Sequence, residues 1–365
     1  MSRLDTRRRA PRAALFTAAL LCLAAQAAAQ QLTFTPFHAN GIYTVGEKAG
    51  WTVTPAAGDR TAAGAYSYTV KRDGLSVVKT GTFELSSGKA TIETSLAHPG
   101  MVLVEVKPPA GVTGFHGASK AEVGRALLGA AVAPTRIRPS YARPADFDAF
   151  WTAKIAQLQK IPVEPVLTPG ESGTPGVEWS SIRMNNINGA HVWGQLAKPA
   201  REGKFPALLI LQWASPPYPL QKVWVTSRAA EGWLVLNVEP HDVPADMPQA
   251  FYDALPTMIK NDTSIGLHSR DENYFLPMYL GDYRAAEYLA SRPDWDGKTL
   301  VVMGTSMGGQ QSWAVAGLHP KISAMLVEVP AGADLLGPLT GRKEPYPNWD
   351  VKNPEIRALA PYFDG

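Results

Sequence analysis

The sequence contains a single cysteine, Cys22, among its 365 residues. Cys22 lies in an N-terminal segment that we predict to be removed, so the mature chain would contain no disulfide, no catalytic thiol and no thiolate metal ligand. A protein without cross-links must be stabilised by a hydrophobic core, and the remaining chain is long enough to build one. Apolar residues make up 45% of the sequence and charged residues 18%, as is usual for a globular protein.

Long apolar runs are also missing, apart from one near the N-terminus. Three consecutive arginines from Arg7 and another at Arg12 precede the apolar run Ala13–Ala25, and small residues ending at Ala29 follow it. This order is typical of a secretory signal peptide over residues 1–29, so we expect a secreted or periplasmic protein. No later run approaches the ~18 apolar residues of a membrane helix, and we expect no membrane anchor.

An excess of charge is absent as well. The formal net charge is +3 at pH 7, from 35 basic and 32 acidic residues. The predicted signal peptide contains five arginines and one aspartate, so its removal leaves a formal charge of about −1. A protein that binds nucleic acid would carry a basic surface, and we therefore expect no nucleic-acid partner.

Residues 30–132 have the pattern of an all-β domain. Tyr66–Val70 alternates apolar and polar residues, Asp73-Gly74 is typical of a hairpin turn, and Thr82–Leu85 repeats the alternation. Strands at this spacing predict a small β-sandwich of the immunoglobulin-like kind, with most of its aromatic side chains in the core.

The sequence changes character after this domain. Residues 133–146 contain three prolines, and we predict a linker there. Apolar residues within Phe147–Leu158 then recur at helical spacing. The segment 147–365 alternates strand and helix patterns, which predicts the α/β class with a sheet covered on both faces. The predicted strands are an antiparallel pair, Val177–Arg183 and His191–Leu196, and parallel strands at Phe205–Gln212, Gly232–Val238, Thr299–Gly304 and Ile322–Val329.

One stretch of this segment carries a catalytic pattern. Thr299–Gly304 is apolar and β-branched, Ser306 follows in a Gly-x-Ser-x-Gly-Gly motif, and a helical pattern begins at Met307. Strand, sharp turn and helix in this order are typical of the nucleophile elbow of an α/β-hydrolase, in which the serine attacks the substrate. Side chains at Gly304 and Gly308 would clash there, and the Met307 N–H would stabilise an oxyanion. The alternative is a glycine-rich turn with a capping serine.

From about residue 139 onward, the sequence resembles the family of acetyl xylan esterases and cephalosporin C deacetylases, carbohydrate esterase family seven. The segments that carry the resemblance are Arg143–Trp151, Tyr274–Ala285 and Asp294–Gly309. The resemblance implies an α/β-hydrolase fold that removes acetyl groups from sugars through a Ser-His-Asp triad, without a metal or organic cofactor. It also implies that Ser306 is the nucleophile and that the N–H group of Met307 contributes to the oxyanion hole.

Two motifs of this family are altered in the sequence. The family's His-Gly-Tyr, which supplies the second oxyanion donor, corresponds to Gln212-Trp213-Ala214, so Ala214 is the candidate for that donor. The family's Arg-Gly-Gln corresponds to Glu239-Pro240-His241. Trp213 and His241 are candidates for residues that line the substrate pocket, although the aromatic residues around the first motif could equally belong to the core.

The sequence after Ser306 contains one histidine, His319. The thirteen positions from one to the other are mostly helical, which separates them by about 20 Å. His319 is therefore expected to end its helix rather than to activate Ser306. His241 and Asp334 remain as an unorthodox base and acid. We expect instead that the triad histidine and aspartate lie outside the sequence, that the α/β-hydrolase domain is C-terminally incomplete and lacks its last strands, and that this chain alone is inactive.

The whole sequence thus predicts a secreted serine carboxylesterase that forms an acyl-enzyme on Ser306 and removes acetyl groups from xylan-type sugars. Its partner would be an acetylated carbohydrate or another small ester, and a homo-oligomer is left open. A serine peptidase similar to prolyl oligopeptidase is an alternative, because it shares the Gly-x-Ser-x-Gly-Gly motif. A non-catalytic carbohydrate-binding protein derived from a hydrolase is a second alternative.

Overall fold

The computed structural model describes residues 32–57, 64–112, 115, 124–213, 217–260 and 262–365. The chain divides into two compact units between Arg136 and Ile137. The predicted signal peptide, residues 1–29, lies outside the described residues, as does Ala214. Within the described part of the chain, no helix is both long and apolar enough to span a lipid bilayer.

The first unit consists of β-strands arranged in two sheets. Its strands are β1 (Leu32–Pro36), β2 (Ile42–Tyr43), β3 (Ala49–Pro55), β4 (Tyr66–Arg72), β5 (Ser76–Phe83), β6 (Ala90–Thr94), β7 (Gly100–Lys107) and β8 (Ala126–Val132). One sheet has the order β1-β3-β6, and the other has the order β2-β8-β7-β4-β5, in which β2 and β8 pair in parallel. A single 3-10 turn, Pro134–Arg136, follows β8.

The two sheets of this unit enclose one hydrophobic core. Along β4, the alternate residues Tyr66, Tyr68 and Val70 are buried, as the sequence pattern predicts. Trp51, from the other sheet, is buried in the same core. The predicted turn at Asp73-Gly74 is confirmed, because both residues have a positive φ and lie between β4 and β5. The buried alternate residues of facing strands therefore hold the two sheets together.

The second unit contains both strands and helices. Its strands are β9 (Val166–Gly170), β10 (Val177–Asn185), β11 (His191–Pro199), β12 (Phe205–Leu211), β13 (Leu234–Val238), β14 (Trp295–Thr305) and β15 (Ala324–Glu328). Its helices are α1 (Phe147–Gln159), α2 (Lys222–Ala230), α3 (Gln249–Asp253), α4 (Thr257–Lys260), α5 (Phe275–Ser291), α6 (Met307–Leu318) and α7 (Pro354–Leu359). Single 3-10 turns occur at Ile187–Gly189, Asp262–Ser264, Gly337–Thr340 and Ala360–Tyr362.

Seven strands form one sheet in the order β15-β14-β12-β13-β11-β10-β9. β13, β12, β14 and β15 run parallel to one another, and β10 pairs antiparallel with β11, which confirms the predicted parallel strands and the predicted antiparallel pair. β14 begins earlier than predicted, at Trp295. Trp295 pairs with Phe205 of β12, and the next pair is Leu300 with Ala207. The register of the two strands therefore shifts between these pairs. Residues 295–298, which precede the predicted strand, thus also belong to β14.

Helices cover both faces of this sheet, as predicted. Leu209, on one face of β12, belongs to the same core as Leu289 of α5 and Val315 of α6. Leu208, on the opposite face, belongs to a second core with Val225 of α2. A strand that is buried on both faces has no solvent side for polar residues, and this explains the continuous apolar sequence of β12.

The edges of the sheet are exposed. Among the described residues, β15 pairs with β14 alone, and Met325 and Leu326 are 48% and 60% exposed. β9 forms the opposite edge and is exposed at all five positions. The expectation that further strands follow β15 stays a prediction.

Side-chain hydrogen bonds join part of the predicted linker 133–146 to the second unit. Ser140 Oγ donates a hydrogen bond to Asp334 Oδ2 at 2.9 Å, and the Tyr141 hydroxyl donates to Asp364. Prolines remove backbone donors from this segment, but the side chains between them supply donors of their own. A proline-rich composition alone therefore did not reveal that the segment is anchored.

Candidate active site

Ser306 lies between a strand and a helix, because β14 ends at Thr305 and α6 begins at Met307. Its φ and ψ are 57° and −117°, a region that residues with a Cβ rarely adopt. Neighbours hold this conformation: the Ser306 N–H donates to the Glu328 carbonyl at 3.0 Å, and the Ser306 carbonyl accepts from the Ala331 N–H at 2.9 Å. Ser306 is exposed. A strained, exposed serine on a strand-to-helix turn has the geometry of a nucleophile elbow.

Two glycines of the motif permit a close approach of backbone to backbone. A Cβ added to Gly304 would lie under 3.0 Å from the Gly308 carbonyl. A Cβ added to Gly308 would lie under 3.0 Å from the Leu211 carbonyl. The predicted clashes are confirmed, and the second of them shows that α6 begins directly against the end of β12.

We expect Gly308→Ala to destabilise the fold by about 3 kcal/mol, because the new methyl group would meet backbone that cannot rotate away. Gly317→Ala is the matched control in the same helix, since no neighbouring atom lies within 4 Å of a Cβ there. Alanine is favoured over glycine inside a helix by about 1 kcal/mol, so the control should be neutral or stabilising. Urea unfolding measures both variants, and equal stabilities would contradict the packing described here.

Met307 has the features required of an oxyanion donor. It is the first residue of α6, so its N–H is one of the four at a helix start that lack an acceptor within the helix. The positive end of the helix dipole favours negative charge at this point. Met307 is buried, and its side chain packs in a hydrophobic core. Ala214, the second candidate donor, lies outside the described residues.

A buried polar network, not foreseen from the sequence, connects α6 to the ends of β12 and β13. Gln311 Nε2 donates to the Gln212 carbonyl at 2.6 Å, and Gln212 Nε2 donates to Asn237 Oδ1 at 3.1 Å. All three residues are buried. The network fixes the backbone from which the segment after β12 departs. The one sign of this network in the sequence is the pair of glutamines that directly follows the glycines of the motif.

An aromatic cluster of Trp213, Tyr218 and Trp224 lies where the chain leaves β12. The ring centroids of Trp213 and Tyr218 are 4.9 Å apart, and Trp224 lies 6.4 Å from each of them. Trp213 is 40% exposed, and the other two are half-buried. None of the three belongs to the hydrophobic cores of this unit. The aromatic cluster is therefore a surface feature beside the carboxyl end of β12.

His241 lines a cavity of about 90 Å³ at the end of β13. It is buried, and its Nδ1 forms a hydrogen bond with the Tyr274 hydroxyl. Burial raises the pKa values of Glu239 and Asp282, which line the same cavity, well above their usual range. Ser306 does not line this cavity. Within the described residues, no three histidine, aspartate or glutamate side chains come together in a way that could hold a metal ion.

The other candidates for a base and an acid, His319 and Asp334, are engaged in contacts of their own. His319 ends the twelve-residue helix α6, about 18 Å from its start, as expected from the sequence. Its ring packs 4.6 Å from that of Tyr283, and burial lowers its pKa to about 4, so it is neutral at pH 7. Asp334 accepts a hydrogen bond from Arg342. Asp334 and His241 line different cavities, and the structure does not bring them together.

Comparison with known proteins places these features in a family. The family model described as acetyl xylan esterase (AXE1) matches residues 135–336, more than half of the chain. The acetyl esterase Axe7A of Xylanibacter ruminicola is 28% identical over 338 residues, which cover 90% of this chain and 74% of that protein. Both matches agree with the resemblance read from the sequence.

Two solved structures share the fold. The acetyl xylan esterase from Paenibacillus sp. R4 is 20% identical with a TM-score of 0.52, over 62% of this chain and 76% of that one. Acetyl xylan esterase 1 from Thermoanaerobacterium sp. JW/SL YS485 is 20% identical with a TM-score of 0.50, over 62% of this chain and 75% of that one. The fold, the strained serine and the matched family model lead to one conclusion: the chain belongs to the acetyl xylan esterase family.

Proposed function

We propose that this protein is a serine esterase that removes acetyl groups from xylan-type sugars through an acyl-enzyme on Ser306. Membership of the acetyl xylan esterase family supports hydrolysis of acetyl esters on sugars. The serine mechanism rests on one observation, the strained backbone of Ser306, with its φ of 57°. Such strain persists only where the surrounding structure enforces it, and it presents a serine hydroxyl to a substrate.

The proposed reaction has two steps. Ser306 Oγ attacks the carbonyl carbon of the ester while its proton passes to a base. The Met307 N–H, with the Ala214 N–H as the proposed second donor, stabilises the negative charge that develops on the carbonyl oxygen. The bond to the sugar oxygen then breaks, and the sugar leaves as an alcohol with the proton from the base. Water attacks the acetyl-Ser306 ester in the same way and releases acetate.

We propose that the base is none of the histidines of the second unit, which are His191, His241, His268 and His319. The Nδ1 atom of His191 lies 3.5 Å from Oδ1 of Asp242. The Nε2 atom of His268 lies 2.6 Å from Oε2 of Glu272. His241 is bonded to Tyr274, and His319 lies at the far end of α6. A serine hydroxyl without a base is a weak nucleophile, so the polypeptide of residues 30–365 would by itself be a poor catalyst.

We also propose that the protein is exported, on the strength of the signal-peptide pattern over residues 1–29. An exported esterase would meet acetylated polysaccharide outside the cell, where such polymers occur. The carbohydrate-binding and peptidase alternatives predict different chemistry on the same substrates, and a direct assay separates them.

The protein, purified from the cells that naturally produce it, should release acetate from acetylated xylo-oligosaccharides and leave short peptides intact. A fluorophosphonate should label it, and mass spectrometry of the digested protein should place the label on Ser306. Cleavage of the peptides would favour the peptidase. Binding of the oligosaccharide with neither acetate release nor labelling would favour the non-catalytic alternative.

A further inference from the structure

We propose that the aromatic cluster of Trp213, Tyr218 and Trp224 is a sugar-binding platform, on which the pyranose ring that carries the acetyl group stacks during the reaction. The inference rests on the proposed function and adds to it the part of the protein that recognises the sugar. The family assignment concerns the acetyl ester, whereas the platform concerns the alcohol side of that ester.

The sheet places the platform next to the nucleophile. β12 and β14 are neighbours, and Leu211 of β12 pairs with Gly304 of β14. Trp213 and Ser306 each follow their paired residue by two positions, at the ends of strands about 4.8 Å apart. The first turn of α6 packs on Leu211 so closely that a Cβ at Gly308 would overlap its carbonyl. Trp213 and Ser306 therefore lie at the carboxyl ends of neighbouring parallel strands, beside the same turn.

The platform is held in place by hydrogen bonds. The Tyr218 hydroxyl donates to Gln212 Oε1 at 3.1 Å, and Gln212 Nε2 donates to Asn237 Oδ1. The Gln212 carbonyl accepts from Gln311 of α6. The aromatic cluster is thus connected to the helix that begins at the elbow. A ring fixed in this way loses little conformational freedom when a ligand covers it, which favours binding.

The exposure of Trp213 indicates that a ligand covers it. It is 40% exposed, and every other tryptophan in the described part of the chain is buried or half-buried. Trp51, Trp151 and Trp179 are instead buried. An indole left in water beside a reactive serine gains free energy when an apolar surface covers it.

A pyranose ring fits this surface better than an acetyl group does. The acetyl group offers one methyl, which is too small to cover an indole. A pyranose ring presents C–H bonds on its faces and hydroxyl groups on its rim, so stacking buries its apolar face while the hydroxyls remain in water. Aromatic side chains with an apolar body are suited to such partly wet contacts.

The test compares two acetyl esters that differ in their alcohol. In the protein expressed from its own gene, Trp213→Ala should lower kcat/KM for acetylated xylo-oligosaccharides relative to that for methyl acetate, whose alcohol is too small to cover an indole, by about tenfold, mainly through KM. Trp213→Phe keeps an aromatic face and should recover part of the ratio. Val223→Ala, a change at an exposed apolar residue of α2, is the control and should leave the ratio unchanged.

Binding provides a second measurement that does not depend on turnover. Deacetylated xylo-oligosaccharides should change the tryptophan fluorescence of the wild type. This change should be lost in Trp213→Phe, because the indole that reports the contact is absent. The phenylalanine variant also keeps the test possible if Trp213→Ala does not fold. Equal losses on both esters, or an unchanged ratio in Trp213→Ala, would overturn the platform. Failure of the wild type to release acetate from any ester would instead refute the proposed function.

Discussion

Ser306→Ala should lower kcat for acetyl ester hydrolysis by at least about 10⁴-fold, because the variant has no oxygen with which to form the acyl-enzyme. The residual rate would come from binding and from the oxyanion donors alone. Steady-state assays on p-nitrophenyl acetate measure the effect in the protein purified from its natural source. The stability of the variant should be equal to or higher than that of the wild type, since Ser306 is exposed and its side chain is not part of a core.

The matched control for this experiment is Ser227→Ala. Ser227 is an exposed serine on α2, and its hydroxyl donates to the Val223 carbonyl within the same helix. Loss of that local bond should leave kcat unchanged. Near wild-type turnover by Ser306→Ala would refute the nucleophile assignment, and an equal loss in both variants would indicate general damage to the fold.

The polypeptide of residues 30–365 should hydrolyse p-nitrophenyl acetate about 10⁴-fold more slowly than a serine esterase with a complete triad, since removal of the histidine base has an effect of this size or larger. The physical reason is the position of the histidines. His241 is buried against Tyr274, and His319 is neutral but lies at the opposite end of α6 from Ser306. We propose that neither takes the serine proton.

Added imidazole provides a specific test of this explanation. If a base is what the polypeptide lacks, imidazole in solution should raise its rate in a manner that depends on Ser306. Ser306→Ala in the same imidazole buffer is the control, because imidazole hydrolyses the ester slowly by itself. Ordinary enzymatic turnover without imidazole, abolished by Ser306→Ala, would contradict the prediction. His241→Gln and Asp334→Asn would then identify the internal base and acid.

Much of the second unit could be predicted from the sequence, because its buried strands leave a strong pattern. β12 is apolar at every position, and it is buried on both faces. The elbow was predictable for a different reason, since Gly304 and Gly308 occupy positions where no side chain fits. Burial and steric exclusion both act on single residues, so they are visible in a single sequence.

Other features depend on partners that are distant in sequence. β9 was not predicted, because Val166–Gly170 is an exposed edge strand whose pairing with β10 leaves no alternation to detect. The network of Gln212, Asn237 and Gln311 joins residues up to 99 positions apart. A glutamine that donates to a distant carbonyl looks, in sequence, like any surface glutamine.

The roles of the aromatic residues were the hardest to assign. Tryptophans in a sequence are compatible with both core and surface, and the exposure of Trp213 follows from where β12 ends rather than from the residue type. His241 follows β13 and was a candidate for the substrate pocket, yet it lines a cavity that Ser306 does not share. A residue's position along a strand predicts the end of the sheet at which it lies. It does not predict which cavity the side chain lines.

The exposed edge of β15 leads us to expect that molecules of this protein associate with one another at high concentration. Among the described residues, β14 is its one partner strand, and Met325, Leu326 and Val329 are exposed at or just beyond this edge. The outer side of an edge strand offers backbone donors and acceptors that can add a strand from another molecule. Encounters between two molecules rise with the square of concentration, and cooling weakens the apolar contribution to such contacts. Dilute, cold solutions should therefore preserve single molecules during purification and storage.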